Sequence, residues 1–162
     1  MEGQRHRLEE LKGALAGGDA DRGRALFFGS KASCSACHRV DEEGGVIGPN
    51  LTGIGEIRTR RDLLEAVAFP SASFARNYEP YTILTKAGLT HSGIISRTTS
   101  DAIYLTTGER NTIRLPSSEI EDDGVVPSTV SIMPQGLDRI LQPAELQDLL
   151  AYLASLREHK RP

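Results

Sequence analysis

Cys34-Ser35-Ala36-Cys37-His38 decides how this chain reads: two thiols three positions apart, with an imidazole directly after the second. No other cysteine occurs among the 162 residues. Two neighbouring thiols cannot tie distant parts of a fold together, so a disulfide framework is excluded and the pair must serve chemistry. If the segment is helical, positions i, i+3 and i+4 share one face and the three side chains point the same way. Upstream, Asp19 reads as the cap of a helix running through Gly23, Leu26, Phe27 and Phe28 to a stop at Gly29-Ser30. Downstream, residues 41–55 hold five glycines and Pro49, the composition of a loop.

A single flat ligand can meet all three side chains. Each thiol adds to one vinyl group of a porphyrin while the imidazole coordinates the iron, and C-x-x-C-H is the signature of covalent c-type haem attachment. Zinc requires about four N or S ligands, and the remaining histidines, His6, His91 and His159, are isolated, with no second cysteine pair. A thioredoxin-like redox pair follows a strand of an α/β unit, whereas the residues before Cys34 read as helix. Haem c, one copy held by two thioethers, is the favoured cofactor. The second axial ligand is then sought among Met1 and Met133, the only methionines. Met133 stands in Ser131-Ile132-Met133-Pro134-Gln135-Gly136, an irregular loop before the last helix. A lone methionine ordinarily fills a core; beside a haem motif, a soft thioether on a fixed loop suits iron, and a His/Met pair raises the reduction potential relative to bis-His. His91, in the strand-like Thr90-His91-Ser92, is the weaker alternative.

The rest of the chain supplies the frame. Leu8, Leu11 and Leu15 recur at helical spacing up to Gly17-Gly18, Thr59 caps a helix over residues 60–69 closed by Pro70, and Pro143 opens a helix whose leucines at 146, 149, 150, 153 and 156 form one apolar face. Between these, residues 78–85, 89–96, 102–107 and 111–115 alternate as strands, and the acidic run Glu119, Glu121, Asp122, Asp123 and Gly124 reads as an exit loop. The expected architecture is mainly α with a β insertion: an N-terminal helical extension over 1–18, a helical core over 19–75 and 126–162, and an antiparallel module over 76–125 resembling a small SH3-like barrel. Aromatics are only 5% of residues and tryptophan is absent, so a bound ligand is a candidate core filler. With 19 basic against 22 acidic residues and no basic block, nucleic acid is disfavoured as a partner. No run reaches transmembrane length. Residues 1–18 lack the apolar run of a signal peptide, so the chain is expected to be cytosolic, or else a mature or excised piece of a secreted one.

Several of these segments together resemble a class I cytochrome c, in particular the haem-binding domain of large planctomycete proteins. The carriers are Gly23 and Phe27, Cys34 to His38, Gly48-Pro49-Asn50-Leu51, Pro70, Asn77-Tyr78, Met133-Pro134, Gly136-Leu137 and the helix around Tyr152. The resemblance implies a helical fold around one haem, with the first and last helices crossing at Gly23 and Phe27 packing near Tyr152. It further implies that the Pro49 carbonyl orients His38 and that Leu51 and Leu64 wall the haem. Arg58, Arg60 and Arg61 are candidates for its propionates, although a solvated face is the ordinary role of such a run. The implied function is electron carriage by Fe(III)/Fe(II) cycling in the periplasm or another exported setting, serving a fused or associated dehydrogenase rather than acting as an enzyme. The competing function is a gas sensor or peroxidase-like haem protein with a displaceable sixth ligand. The β module opens a third possibility, partner binding or dimerisation.

Overall fold

The computed structural model describes residues 2–158, so Met1 and His159 lie outside the described residues. The chain divides into two compact units, Met1–Ala72 with Gln135–Pro162, and Ser73–Pro134.

The first unit is helical. Helix α1 (Glu2–Glu10) is followed by a 3-10 turn, Lys12–Leu15. The single N-terminal helix expected from the leucine spacing therefore breaks at Leu11, where the Ala14 N–H reaches back only three residues to the Leu11 carbonyl, 2.9 Å, across the poor helix former Gly13. The apolar face survives the break, with Leu8 and Ala14 buried and Leu11 and Leu15 packed against the core. Helix α2 (Ala20–Phe28) starts as expected, the Asp19 carboxylate accepting from the Arg22 N–H at 2.8 Å. The stretch read as loop holds β2 (Glu43–Gly44), which pairs with β1 (Arg39–Val40) just before it, and a short helix α3 (Ile54–Ile57) begins at its end. Helix α4 (Arg60–Ala68) begins with a reciprocal capping box between Thr59 and Asp62, and Pro70 follows its end.

After the second unit the chain returns through α5 (Leu137–Ile140) to α6 (Pro143–Ser155). Helices α2 and α6 cross at Gly23, where a Cβ would fall 2.7 Å from the Tyr152 Cβ, so only glycine permits the approach. Phe27 meets Tyr152 edge to face, with ring centroids 5.6 Å apart. Asp148 of α6 accepts from the Asp19 N–H and from Arg22 Nε, each at 2.7 Å, fastening the start of α2 to the same crossing. Phe27, Leu64, Leu146, Leu149 and Leu150 fill the centre of the core.

The second unit is a five-stranded antiparallel sheet of β3 (Pro80–Thr85), β4 (Thr90–Thr98), β5 (Ala102–Thr107), β6 (Thr112–Pro116) and β7 (Ile120–Pro127), ordered β6-β5-β4-β3-β7. Four strands lie within two residues of their expected ends. The fifth corrects the reading of residues 119–124 as an exit loop, because β7 pairs with β3 through Val125 opposite Ile83 and Ile120 opposite Thr85. The register shifts between these pairs and Asp123 takes a φ of 59°. A bulge thus absorbs the acidic residues without ending the strand. This strand order does not by itself make the SH3-like barrel. Ile83, Leu105, Leu115 and Ile120 form the buried centre of this unit.

Candidate haem-attachment site

Ser33 enters the motif in the left-handed region, φ 51°, and Cys34–Ala36 forms one 3-10 turn. The turn closes with the Cys37 N–H and the His38 N–H both donating to the Cys34 carbonyl, at 3.2 and 2.9 Å. The segment is thus a single turn rather than a longer helix. The following loop is stitched back along it. Gly45 N–H donates to Ser35 O, Gly48 N–H to Cys37 O and Leu51 N–H to Arg39 O, each at 2.8 Å. Asn50 Oδ1 and Thr52 continue the brace, Thr52 Oγ1 donating to Asn50 at 2.6 Å and accepting from the Asp41 N–H at 2.7 Å.

This brace brings Pro49 to the imidazole. His38 Nδ1 lies 2.8 Å from the Pro49 carbonyl oxygen. A carbonyl can only accept, so Nδ1 carries the proton and, in the neutral ring, Nε2 keeps its lone pair for a metal. Burial pushes the His38 pKa down while the Pro49 bond opposes it. Neutral imidazole, the ligating form, is thereby favoured. Gly48 completes the geometry, since a Cβ there would sit 2.6 Å from His38 Cε1.

Cys34 and Cys37 are half-buried and neither is in a disulfide. Burial pushes the Cys34 thiol up to about 11, Cys37 adding to the rise and a backbone hydrogen bond opposing it. A thiol held neutral is unsuited to thiol–disulfide exchange, for which the thiolate is the nucleophile. Among the described residues no group of three or more His, Cys, Asp or Glu side chains could hold a metal ion. The two thiols and the imidazole therefore do not converge on one ion as a zinc site requires. Two thiols outside any disulfide, beside an imidazole whose Nε2 is left for a metal, fit a haem that takes its thioethers and its iron ligand from one turn.

The remaining predicted residues fall as follows. Leu51 packs at the edge of the helical core, and Leu64 is buried inside it. Met133 is half-buried in the stretch Ser73–Pro134, and its N–H donates to Ser131 Oγ at 3.1 Å. Two residues later, Gln135 Nε2 donates to Ser71 Oγ at 3.1 Å, pinning the chain as it re-enters the helical unit. His91 lies on β4, opposite Ile83 of β3. Arg60 donates through Nη2 to the carbonyls of Gly17 and Gln147, at 2.7 and 2.9 Å, so it braces the helical unit. Arg58 and Arg61 are exposed and act on Asp62, whose pKa is lowered first by Thr59 and then by these two charges. Sequence reasoning passed over Arg39, which stands next to His38 with its Nε buried and without a hydrogen-bond partner.

Residues 20–91 match the Cytochrome c family. A "Cytochrome c-553-like" protein of Synechocystis sp. is 36% identical over 63 residues, which are 39% of this chain. The chain spans 56% of the length of that relative. Both matches are to cytochromes c, and neither singles out the planctomycete-type domain.

Proposed function

We propose that this chain, whose residues 20–91 match the Cytochrome c family, is a single-haem electron carrier with His38 and Met133 as axial ligands. The observation that carries the reading is the 2.8 Å contact between His38 Nδ1 and the Pro49 carbonyl, beside two cysteines outside any disulfide. When bound, haem c supplies a one-electron Fe(III)/Fe(II) couple. Cys34 and Cys37 would hold it through two thioethers, so that the group could not dissociate. Pro49 fixes the tautomer and orientation of His38 and strengthens its donation. Leu51 and Leu64 supply apolar wall, and Met133 supplies a soft second ligand that favours the reduced state. With both His38 and Met133 bound, no position would be left for substrate, and no acid or base would be needed.

The setting in this reading is periplasmic or otherwise exported, with a redox partner protein, fused or associated, as electron donor; a dehydrogenase fits that role. No helix among the described residues is long and apolar enough to cross a membrane. Denaturing electrophoresis with a haem stain and a reduced-minus-oxidised spectrum tests the proposal. A stained band and a far-red sulfur-to-iron charge-transfer absorption in the oxidised protein are expected. A colourless protein carrying zinc overturns it. A high-spin ferric spectrum that shifts with low cyanide or CO transfers the chain to the sensor or peroxidase-like reading.

A further inference from the structure

Asp138 stands second in the short helix α5, and its carboxylate is only 4% exposed. Its charge is met from the other end of the sequence. Arg7 of α1 donates through Nε to Asp138 Oδ2 at 2.8 Å and through Nη2 to the Asp138 carbonyl at 3.5 Å, while its Nη1 donates to Glu10 at 3.0 Å. Taking away one partner leaves a buried charge uncompensated, so each side chain holds the other in place. The segment that carries Arg7 is itself seated on the helical core: Leu8 and Ala14 are buried there, and Gln147 Nε2 donates to the carbonyls of Gly13, at 3.3 Å, and Ala16. Helix α5 is also what the chain enters on leaving the Met133 loop. Gln135 donates to Ser71 at 3.1 Å, Gly136 turns the chain with a φ of 86°, and Leu141 is buried after the helix. A helix of one turn does not persist by itself in water. The position of α5 therefore depends on its anchors, of which Arg7 is the charged one.

Resting on the His38/Met133 reading above, we propose that Arg7 and Asp138 are positioning residues for the sixth ligand: α1, clamped to α5 through this pair, fixes the chain beyond Met133 and slows the departure of its thioether from the iron. Only Pro134, Gln135, Gly136 and Leu137 separate Met133 from Asp138, so the pair acts through a short length of backbone. Gly136 is the flexible link in that length, and a firm anchor directly after it limits the play that the glycine allows. Helix α1 precedes residues 20–91, which match the Cytochrome c family, so the brace is a feature of this chain's N-terminal extension and not of the matched segment.

The test uses the holoprotein, first shown by haem stain and by the far-red sulfur-to-iron band to have its thioether bound; a wild-type protein without that band removes the His/Met reading itself, and this inference with it. Imidazole added to the oxidised protein replaces the thioether, and its rate of entry at saturating concentration reads how fast Met133 leaves. That rate is expected to rise about tenfold in Arg7→Gln and in Asp138→Asn, the scale of one hydrogen bond to a charged group. The double variant is expected to be no faster than the faster single, because the two changes remove one interaction. Hydrogen exchange is expected to quicken in the same variants at the Ile140 and Leu141 amides, which donate to Gly136 and Leu137 in the turn of α5. Asp148→Asn, which loosens the α2–α6 crossing instead, lowers the urea midpoint and leaves imidazole entry at the wild-type rate. The assignment is overturned if imidazole entry is unchanged in both single variants, whether or not the α5 amides lose protection, since a merely structural brace gives that result. It is equally overturned if Asp148→Asn speeds imidazole entry as much as Arg7→Gln does, or if the two single effects multiply in the double variant. Should Arg7→Gln fail to fold, Asp138→Asn decides alone.

Discussion

Gly48 shows how narrowly the proximal side is built. A Cβ there would lie 2.6 Å from His38 Cε1 and 2.8 Å from Nδ1, inside any tolerable contact. The ring cannot yield without leaving the Pro49 carbonyl. Gly48→Ala is therefore expected to cost about 1–3 kcal/mol of stability, the usual penalty of overpacking. It should also move the hyperfine-shifted His38 ring resonances of the oxidised holoprotein. Urea unfolding and proton NMR check both; an unchanged midpoint with unmoved resonances would mean the ring has room that the structure denies it. The residues at this scale differ in how far they could be read from sequence. Cys34, Cys37 and His38 were legible because their relation is local, closed within one turn. Pro49 lies eleven positions from His38 along the chain, and only the family resemblance joined them. The orphaned Nε of Arg39 had no sequence signal, because the burial of a single atom depends on how the loop after it folds back.

At the scale of elements, the crossing of α2 and α6 is held by a charge as well as by packing. Asp148 has only about 5% of its surface exposed and accepts from the Asp19 N–H and from Arg22 Nε and Nη2. Its pKa is lowered, first by the Arg22 hydrogen bond and then by the Asp19 N–H, with burial opposing. A folded pKa below the unfolded value means the unfolded state takes up a proton first as pH falls. The stabilisation is complete above the ordinary aspartate value of 3.8 and is lost as pH falls through the lowered folded value. Asp148→Asn is accordingly expected to lower stability at neutral pH and to flatten the acid side of a stability-against-pH curve measured by urea titration. An unaltered acid limb would show that the Arg22 pairing contributes nothing there. The caps of α2 and α4 and the Pro143 start of α6 were legible because capping is a rule about neighbours. Strand β7 was not, since four residues of charge and glycine between Ile120 and Val125 hide the alternation. Only the partner strand, with its register shift at Ile83 and Thr85, reveals that a bulge keeps the pairing alive. Acidic residues on an edge strand also deter pairing with another chain, which explains why such a composition survives in a sheet.

At the scale of the whole molecule, the chain carries two buried cores, one centred on Phe27, Leu64 and Leu150 and the other on Ile83 and Leu105. Cys34, Cys37 and His38 belong to the stretch with the first core, whereas Met133 stands one residue before the end of the stretch with the second. In the proposed reading, attachment and sixth ligation thus draw on different parts of the sequence. Truncating a fully buried leucine removes both transfer free energy and packing, about 2–5 kcal/mol. That loss bears hardest on the sheet unit, whose buried cluster among the described residues is Ile83, Leu105, Leu115 and Ile120. Leu105→Ala is expected to abolish the far-red sulfur-to-iron band of the oxidised holoprotein while leaving covalent haem content and proximal histidine ligation intact. Leu150→Ala, at the α2–α6 crossing, should instead lower the urea midpoint of the haem-monitored transition and the yield of attached haem. Absorbance spectra, pyridine haemochrome content and urea titration of the two variants separate these outcomes. If Leu105→Ala keeps the far-red band while its sheet amides lose exchange protection, the sixth ligand does not depend on the sheet, and Met133 must be held by the chain on its other side, where Gln135 meets Ser71.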